Sequence, residues 1–257
     1  MVLLFTYGLI FAFGVALGSF FNVVAHRLPR QKSIVKLSSH CPHCEMPIPW
    51  KYKIPIVSYL VLKGRCSNCG HPISWHYPVV ELVSGLLTVI LFHRFGWSGE
   101  FLFYLIFTYG LIVITVIDLQ EMIIPNSVLL VMLGMGVVVN VIFAVQNWQN
   151  ALVGMGVATI GLLGIGILGK ILFGREALGM GDVKLGSVAG FFLGGHMIVY
   201  AIFFSFFVAF FAIVFMLVLS RLQRRDSIPF GPFMAIAMVS FLLWGNSLIQ
   251  WYWGLFS

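Results

Sequence analysis

The chain has 257 residues, of which 60% are hydrophobic and 9% charged, and a mean hydropathy of +1.03; this is far more apolar surface than one globular core can bury. An ordinary soluble domain is excluded, and a protein crossing the membrane many times is required. The formal net charge of +7 does not call for nucleic acid, because the basic residues fall between apolar runs, where the positive-inside rule is a sufficient cause.

The N-terminus, Met1-Val2-Leu3-Leu4-Phe5, has no basic segment, and its apolar run continues to Val24 before the first charge at Arg27. That pattern favours a retained first span with its N-terminus outside over a cleaved signal peptide. Apolar spans are predicted at 2–24, 78–94, 100–117, 127–145, 151–172, 183–194, 197–219 and 231–252. Eight spans put both termini on one side and the loops 26–77, 118–126, 173–182 and 220–230 on the other. Arg27, Arg30, Lys32, Lys36, Lys51, Lys53, Lys63, Arg65, Lys170, Arg175, Lys184, Arg221, Arg224 and Arg225 lie in or beside those loops, leaving Arg94 alone opposite. That face is expected to be the cytoplasm.

The sixth span is short: twelve residues cover only about 18 Å of a roughly 30 Å hydrocarbon core. It must tilt, bend or be sheltered. Gly186, Gly190 and Gly194 recur at every fourth position and would admit a close neighbour, either as ordinary helix packing or as a bent helix that lets water reach Asp182. Gly164-Ile165-Gly166-Ile167-Leu168-Gly169 formally matches a dinucleotide fingerprint, but no strand precedes it, and chance or helix packing explains it.

All four cysteines lie in the first loop, as Cys41-Pro42-His43-Cys44 and Cys66-Ser67-Asn68-Cys69, with 21 residues between the pairs. Two such knuckles suit a closed, four-thiolate structural zinc site. Two disulfides are the competing reading, disfavoured in a reducing cytoplasm. A loop of some fifty residues with few large apolar side chains could scarcely fold by burial, whereas structural zinc contributes on the order of 10 kcal/mol. His43 and His71 flank the knuckles and could replace or orient a thiolate, or simply be surface residues.

With only eight acidic residues in the chain, two at the ends of spans stand out. Asp118 follows the apolar run Leu111–Ile117, and Asp182 sits in Gly179-Met180-Gly181-Asp182 before the run from Val183. If the two meet, like-charge repulsion leaves them sharing one proton, so that one carboxylate activates water while the other polarises the scissile carbonyl and donates to the leaving amine. Against this, Asp118 could merely end a helix at the interface, and Asp182 could be the N-cap of a helix from Val183. Glu81, inside the second span, could pair with a basic residue of the first loop or touch a polar ligand. No Ser-His-Asp cluster or His-Glu-x-x-His pattern is present.

Several stretches together resemble the bacterial type IV prepilin peptidases, polytopic aspartic proteases with a Gly-x-Gly-Asp motif. They are Gly18-Ser19-Phe20-Phe21-Asn22-Val23-Val24 with His26-Arg27-Leu28-Pro29, the two cysteine knuckles, and Tyr77-Pro78-Val79-Val80-Glu81. Asp118 with Ile124-Pro125, Gly179-Met180-Gly181-Asp182-Val183-Lys184-Leu185 and Ile228-Pro229-Phe230-Gly231-Pro232-Phe233 complete the set. The resemblance implies an all-α polytopic membrane protein divided into a first helix (1–25), a cytoplasmic tetracysteine zinc domain (26–77) and a transmembrane aspartic protease core (78–257). It implies Asp118 and Asp182 as the catalytic pair and Cys41, Cys44, Cys66 and Cys69 as zinc ligands. It also implies cleavage of prepilins and pilin-like secretion subunits at the cytoplasmic face of the inner membrane, followed by N-methylation of the new N-terminus with S-adenosylmethionine. Asn126 departs from the family, which often has aspartate after Ile-Pro. Lys184 could meet an acidic residue of the substrate or serve as a positive-inside anchor. The alternative from another class is a transporter with a cytoplasmic zinc module, but polar groups here gather at one end of the spans instead of mid-membrane. A membrane methyltransferase without protease activity is a further rival.

Overall fold

The computed structural model describes residues 2–33, 40–41, 43–174, 178–219 and 228–254. Among them the regular structure is helical, apart from two isolated bridges, His40 with Pro47 and Arg65 with Pro72. Lys36, Arg175, Arg221, Arg224 and Arg225, counted above for orientation, lie outside the described residues. Seven helices are long and apolar enough to cross a membrane, so this is a multi-pass membrane protein. The chain forms two compact units, 1–97 and 98–257.

In the first unit α1 (Val2–Arg27) and α3 (His76–Phe95) pair. Contacts of Tyr7 with His93, Gly14 with Thr88 and Gly18 with Ser84 show that they run antiparallel along a seam of small residues. That seam replaces the missing hydrophobic drive between helices in lipid with close van der Waals approach. Between them the loop carries a single 3-10 turn (Trp50–Tyr52) and the short α2 (Val57–Val61).

The second unit comprises α4 (Gly99–Glu121), α5 (Asn126–Phe143), α6 (Trp148–Phe173), α7 (Met180–Val218) and α8 (Gly231–Gly254). Its core is aromatic: Phe107 stacks on Phe192 at 4.8 Å between ring centroids, and Phe103 lies 4.6 Å from the same ring. Ser98 starts α4 by accepting the Phe101 N–H, and Asn147 starts α6 by accepting those of Gln149 and Asn150.

The sixth and seventh predicted spans are two legs of α7, which runs for 39 residues with a break at Gly194 (φ 78, ψ 169). Contacts with α8 show the chain turning back there. Gly186 faces Met234, Met197 faces Gly245, and then Tyr200 stacks on Phe241 and Phe206 lies tilted against Phe230 just before α8, so the contacts climb α8 and return down to its start. Only glycine reaches this φ without a Cβ penalty. The first leg is sheltered as its shortness demands, with Val188 through Gly195 all buried. The glycine spacing serves helix packing: Gly186 meets Leu162, Gly190 touches the backbone of Gly154, and Gly194 meets Asn150, all on α6. Gly164-Ile165-Gly166-Ile167-Leu168-Gly169 lies inside α6, not at a strand-to-helix turn.

Candidate active site

Asp118 lies in the last turn of α4 and is 5% exposed. A carboxylate there faces the negative end of its own helix dipole, so it needs compensation from elsewhere. The start of α8 supplies it. The Gly231 N–H, a group that α8 itself leaves without a helical partner, donates to Asp118 Oδ2 at 2.9 Å. A Cβ on residue 231 would lie 2.6 Å from that oxygen, so the approach requires glycine.

Asp182 is half-buried in the first turn of α7, where the positive end of the helix dipole favours an anion. It is not the N-cap, because α7 begins at Met180 and Gly179 holds that position. Its carboxylate instead accepts the Gly179 N–H, the reciprocal half of a capping box. The connector after Asp118 grips this turn on both sides of Asp182. Ile124 packs against Gly181, and Asn126 Oδ1 accepts from Lys184 Nζ at 3.0 Å. Asp118 and Asp182 thus lie within electrostatic reach of each other. The C-terminal end of α4 and the N-terminal ends of α7 and α8 converge on two carboxylates, each supported by backbone N–H groups. Such a pair can hold water and a carbonyl between a general base and a general acid.

Among the described residues, the partners of Glu81 are main chain and hydroxyl. Buried in α3, it accepts the Ile56 N–H at 2.7 Å and the Ser19 hydroxyl. Nearby, the Asn22 side chain donates to the Tyr77 carbonyl at 3.1 Å. The sequence marked Asp118 and Asp182 by their chemistry, whereas Gly231 entered only within a stretch of family resemblance and Ile56 not at all, because both are backbone donors whose side chains carry no sign of the role.

The four cysteines meet. Their Sγ atoms all lie within 4.8 Å of one another, with Cys41 and Cys69 at 3.9 Å. Thiolates around a tetrahedral zinc ion at about 2.3 Å stand about 3.8 Å apart, so the cluster fits that ion. The two knuckles repeat one backbone plan. Cys41 N–H bonds to Met46 O and Cys66 N–H to His71 O, and the residue after each second cysteine, Glu45 or Gly70, is left-handed. Without metal, the backbone N–H groups of Cys69 and Asn68 lower the Cys66 thiol to about 6. The His71 N–H pulls Cys69 the same way, yet desolvation and the neighbouring thiols outweigh it and leave that thiol at about 11. His43 and His71 stack on each other at 4.1 Å.

Residues 12–95 match a family described as the bacterial peptidase A24 N-terminal domain, and residues 105–218 match the type IV leader peptidase family. Among similar proteins, a prepilin leader peptidase/N-methyltransferase of Bacillus subtilis is 35% identical over 95% of this chain and 96% of its own length. Proteins of the same description from Stutzerimonas stutzeri and Pseudomonas aeruginosa are each 33% identical over 93% of this chain, covering 91% and 90% of theirs. No solved structure matches. With both family regions present in order and relatives aligned over nearly their whole length, the chain belongs to the type IV leader peptidase family.

Proposed function

We propose that the protein removes the leader peptide from type IV prepilins and pilin-like subunits by aspartate-dependent hydrolysis and then N-methylates the new N-terminus. Asp118 and Asp182 form the acid–base pair: one carboxylate takes a proton from water as it attacks the scissile carbonyl, and the other, protonated, donates to the departing amine. No covalent intermediate is involved. The observation that carries this reading is the convergence of three helix ends on these two carboxylates in a member of this family.

Cys41, Cys44, Cys66 and Cys69 hold a structural zinc ion. Four thiolates leave no open coordination position, so the metal orders the loop and takes no part in bond making. S-adenosylmethionine supplies the methyl group; the glycine run 164–169 does not suit it, and no residue is assigned to it. The distribution of basic residues supports the inner membrane, with the aspartates and the cysteine loop at its cytoplasmic face. A prepilin with a basic leader in the cytoplasm and a hydrophobic helix in the bilayer brings its scissile bond to that depth.

The test is incubation of the purified protein with a prepilin, read by mass spectrometry for loss of the leader and gain of a methyl group. Asp118→Asn and Asp182→Asn are each expected to lower the cleavage rate by on the order of 10²–10⁴-fold while leaving helix content unchanged. Undiminished cleavage by either variant removes it from the pair.

A further inference from the structure

The stretch between the two knuckles is apolar and exposed. Trp50, Ile54, Val57, Leu60 and Val61 are 50–82% exposed, an arrangement unlike a loop surrounded by water, where such side chains would cluster. Basic residues ring it: Lys51, Lys53, Lys63 and Arg65 are all exposed, and no acidic residue occurs between Glu45 and Glu81. Apolar side chains interleaved with lysine, with tryptophan at the margin, are the composition of segments that lie in the interface of an anionic membrane.

An independent contact ties this segment to a membrane-spanning helix. Glu81 is the sixth residue of the membrane-spanning α3, about 8 Å from its start at 1.5 Å per residue. Its carboxylate holds the Ile56 N–H at 2.7 Å, and Ile56 is bent into an unusual conformation at φ 60. A β-branched residue adopts positive φ only where its surroundings impose it. The loop is therefore drawn down to the level of the spans α1 and α3, and the exposed side chains on either side of Ile56 come with it.

We propose that residues 50–62 lie in the headgroup and outer acyl layer of the bilayer, at the face where α1 ends and α3 begins. The metal-binding module is then fastened to the lipid surface by these side chains, with the basic residues on anionic headgroups. This does not depend on the peptidase reading.

The test places a photoreactive residue on the full chain, Leu60→p-benzoylphenylalanine, in vesicles of phosphatidylethanolamine and phosphatidylglycerol. Adducts formed on irradiation are identified by mass spectrometry. The same label at Val141, 67% exposed on α5, is the lipid reference. Lipid adducts at position 60 within about threefold of the reference are expected, since an interfacial side chain samples the same acyl carbons. Adducts to protein alone, whether the rest of the chain, a second copy or added prepilin, overturn the proposal, as does a lipid yield more than about tenfold below the reference. Val61→p-benzoylphenylalanine repeats the measurement if the first variant fails to give a monodisperse, helical protein.

Discussion

A carboxylate buried at the carbonyl end of its own helix is tolerated only because another helix points its N–H groups at it. Asp118 and Gly231 are that arrangement, and the fit leaves no room for a side chain. In Gly231→Ala the new methyl would press on Asp118 Oδ2 from 2.6 Å, so the carboxylate or α8 must shift. A displacement approaching 1 Å costs about 10²-fold in rate. The expected outcome is a fall of that size in kcat for leader cleavage with KM little changed, measured by steady-state kinetics on a purified prepilin. Asp118 and Asp182 could be read from the sequence because carboxylates are conspicuous in a chain with eight acidic residues. Gly231 could not, since it contributes a backbone N–H across 113 positions of sequence. Glu81 was conspicuous for the same reason as the aspartates, but its partner at Ile56 is again main chain.

At the scale of the helices, hydrophobic runs located every span, with ends within about a turn of those observed. What they could not show was that the two helical legs predicted at 183–194 and 197–219 follow one another with no loop between them, the chain reversing at Gly194 alone. That turn is a backbone event: a single residue at φ 78 with Asn150 of α6 beside it, its side chain accepting the Gly195 N–H at 3.0 Å. Gly194→Ala places a methyl at a positive φ with extended ψ, a conformation that essentially only glycine adopts, and against the Asn150 amide. The conformational penalty alone is about 1–3 kcal/mol, so a lower Tm is expected, measured by thermal unfolding in detergent. Gly190→Leu should be more damaging. There the backbones of α6 and α7 touch at Gly154, and a leucine must force the helices apart, displacing the first turn of α7 and Asp182 with it. Loss of cleavage together with loss of stability is expected for that variant. Gly156, which faces open space, provides the comparison: Gly156→Ala should leave both unchanged.

For the whole molecule, the carboxylate pair belongs to the unit 98–257 and the cysteine cluster to the unit 1–97. The knuckle spacing was enough to foresee the cluster, because metal-ligand geometry is a local property of Cys-x-x-Cys turns, repeated here by the same N–H contacts in each knuckle. In the unit 1–97, α1 and α3 pair across the loop that carries the cysteines. A metal that orders only its own loop makes a specific prediction. Chelation should raise hydrogen exchange through residues 43–73 while the amides of α4 to α8 stay protected, and the amides beside Cys41, Cys44, Cys66 and Cys69 should recover when zinc is returned. The pH dependence follows from the thiols. Zinc takes thiolates, Cys66 is lowered to about 6 and Cys69 stands at about 11 in the metal-free loop, so near neutral pH uptake must displace the proton held at Cys69. Apparent zinc affinity should therefore rise as pH rises from 6 to 8, measured by competition with a chelator of known affinity. An affinity that is flat over this range would mean that the thiols are already ionised before the metal arrives.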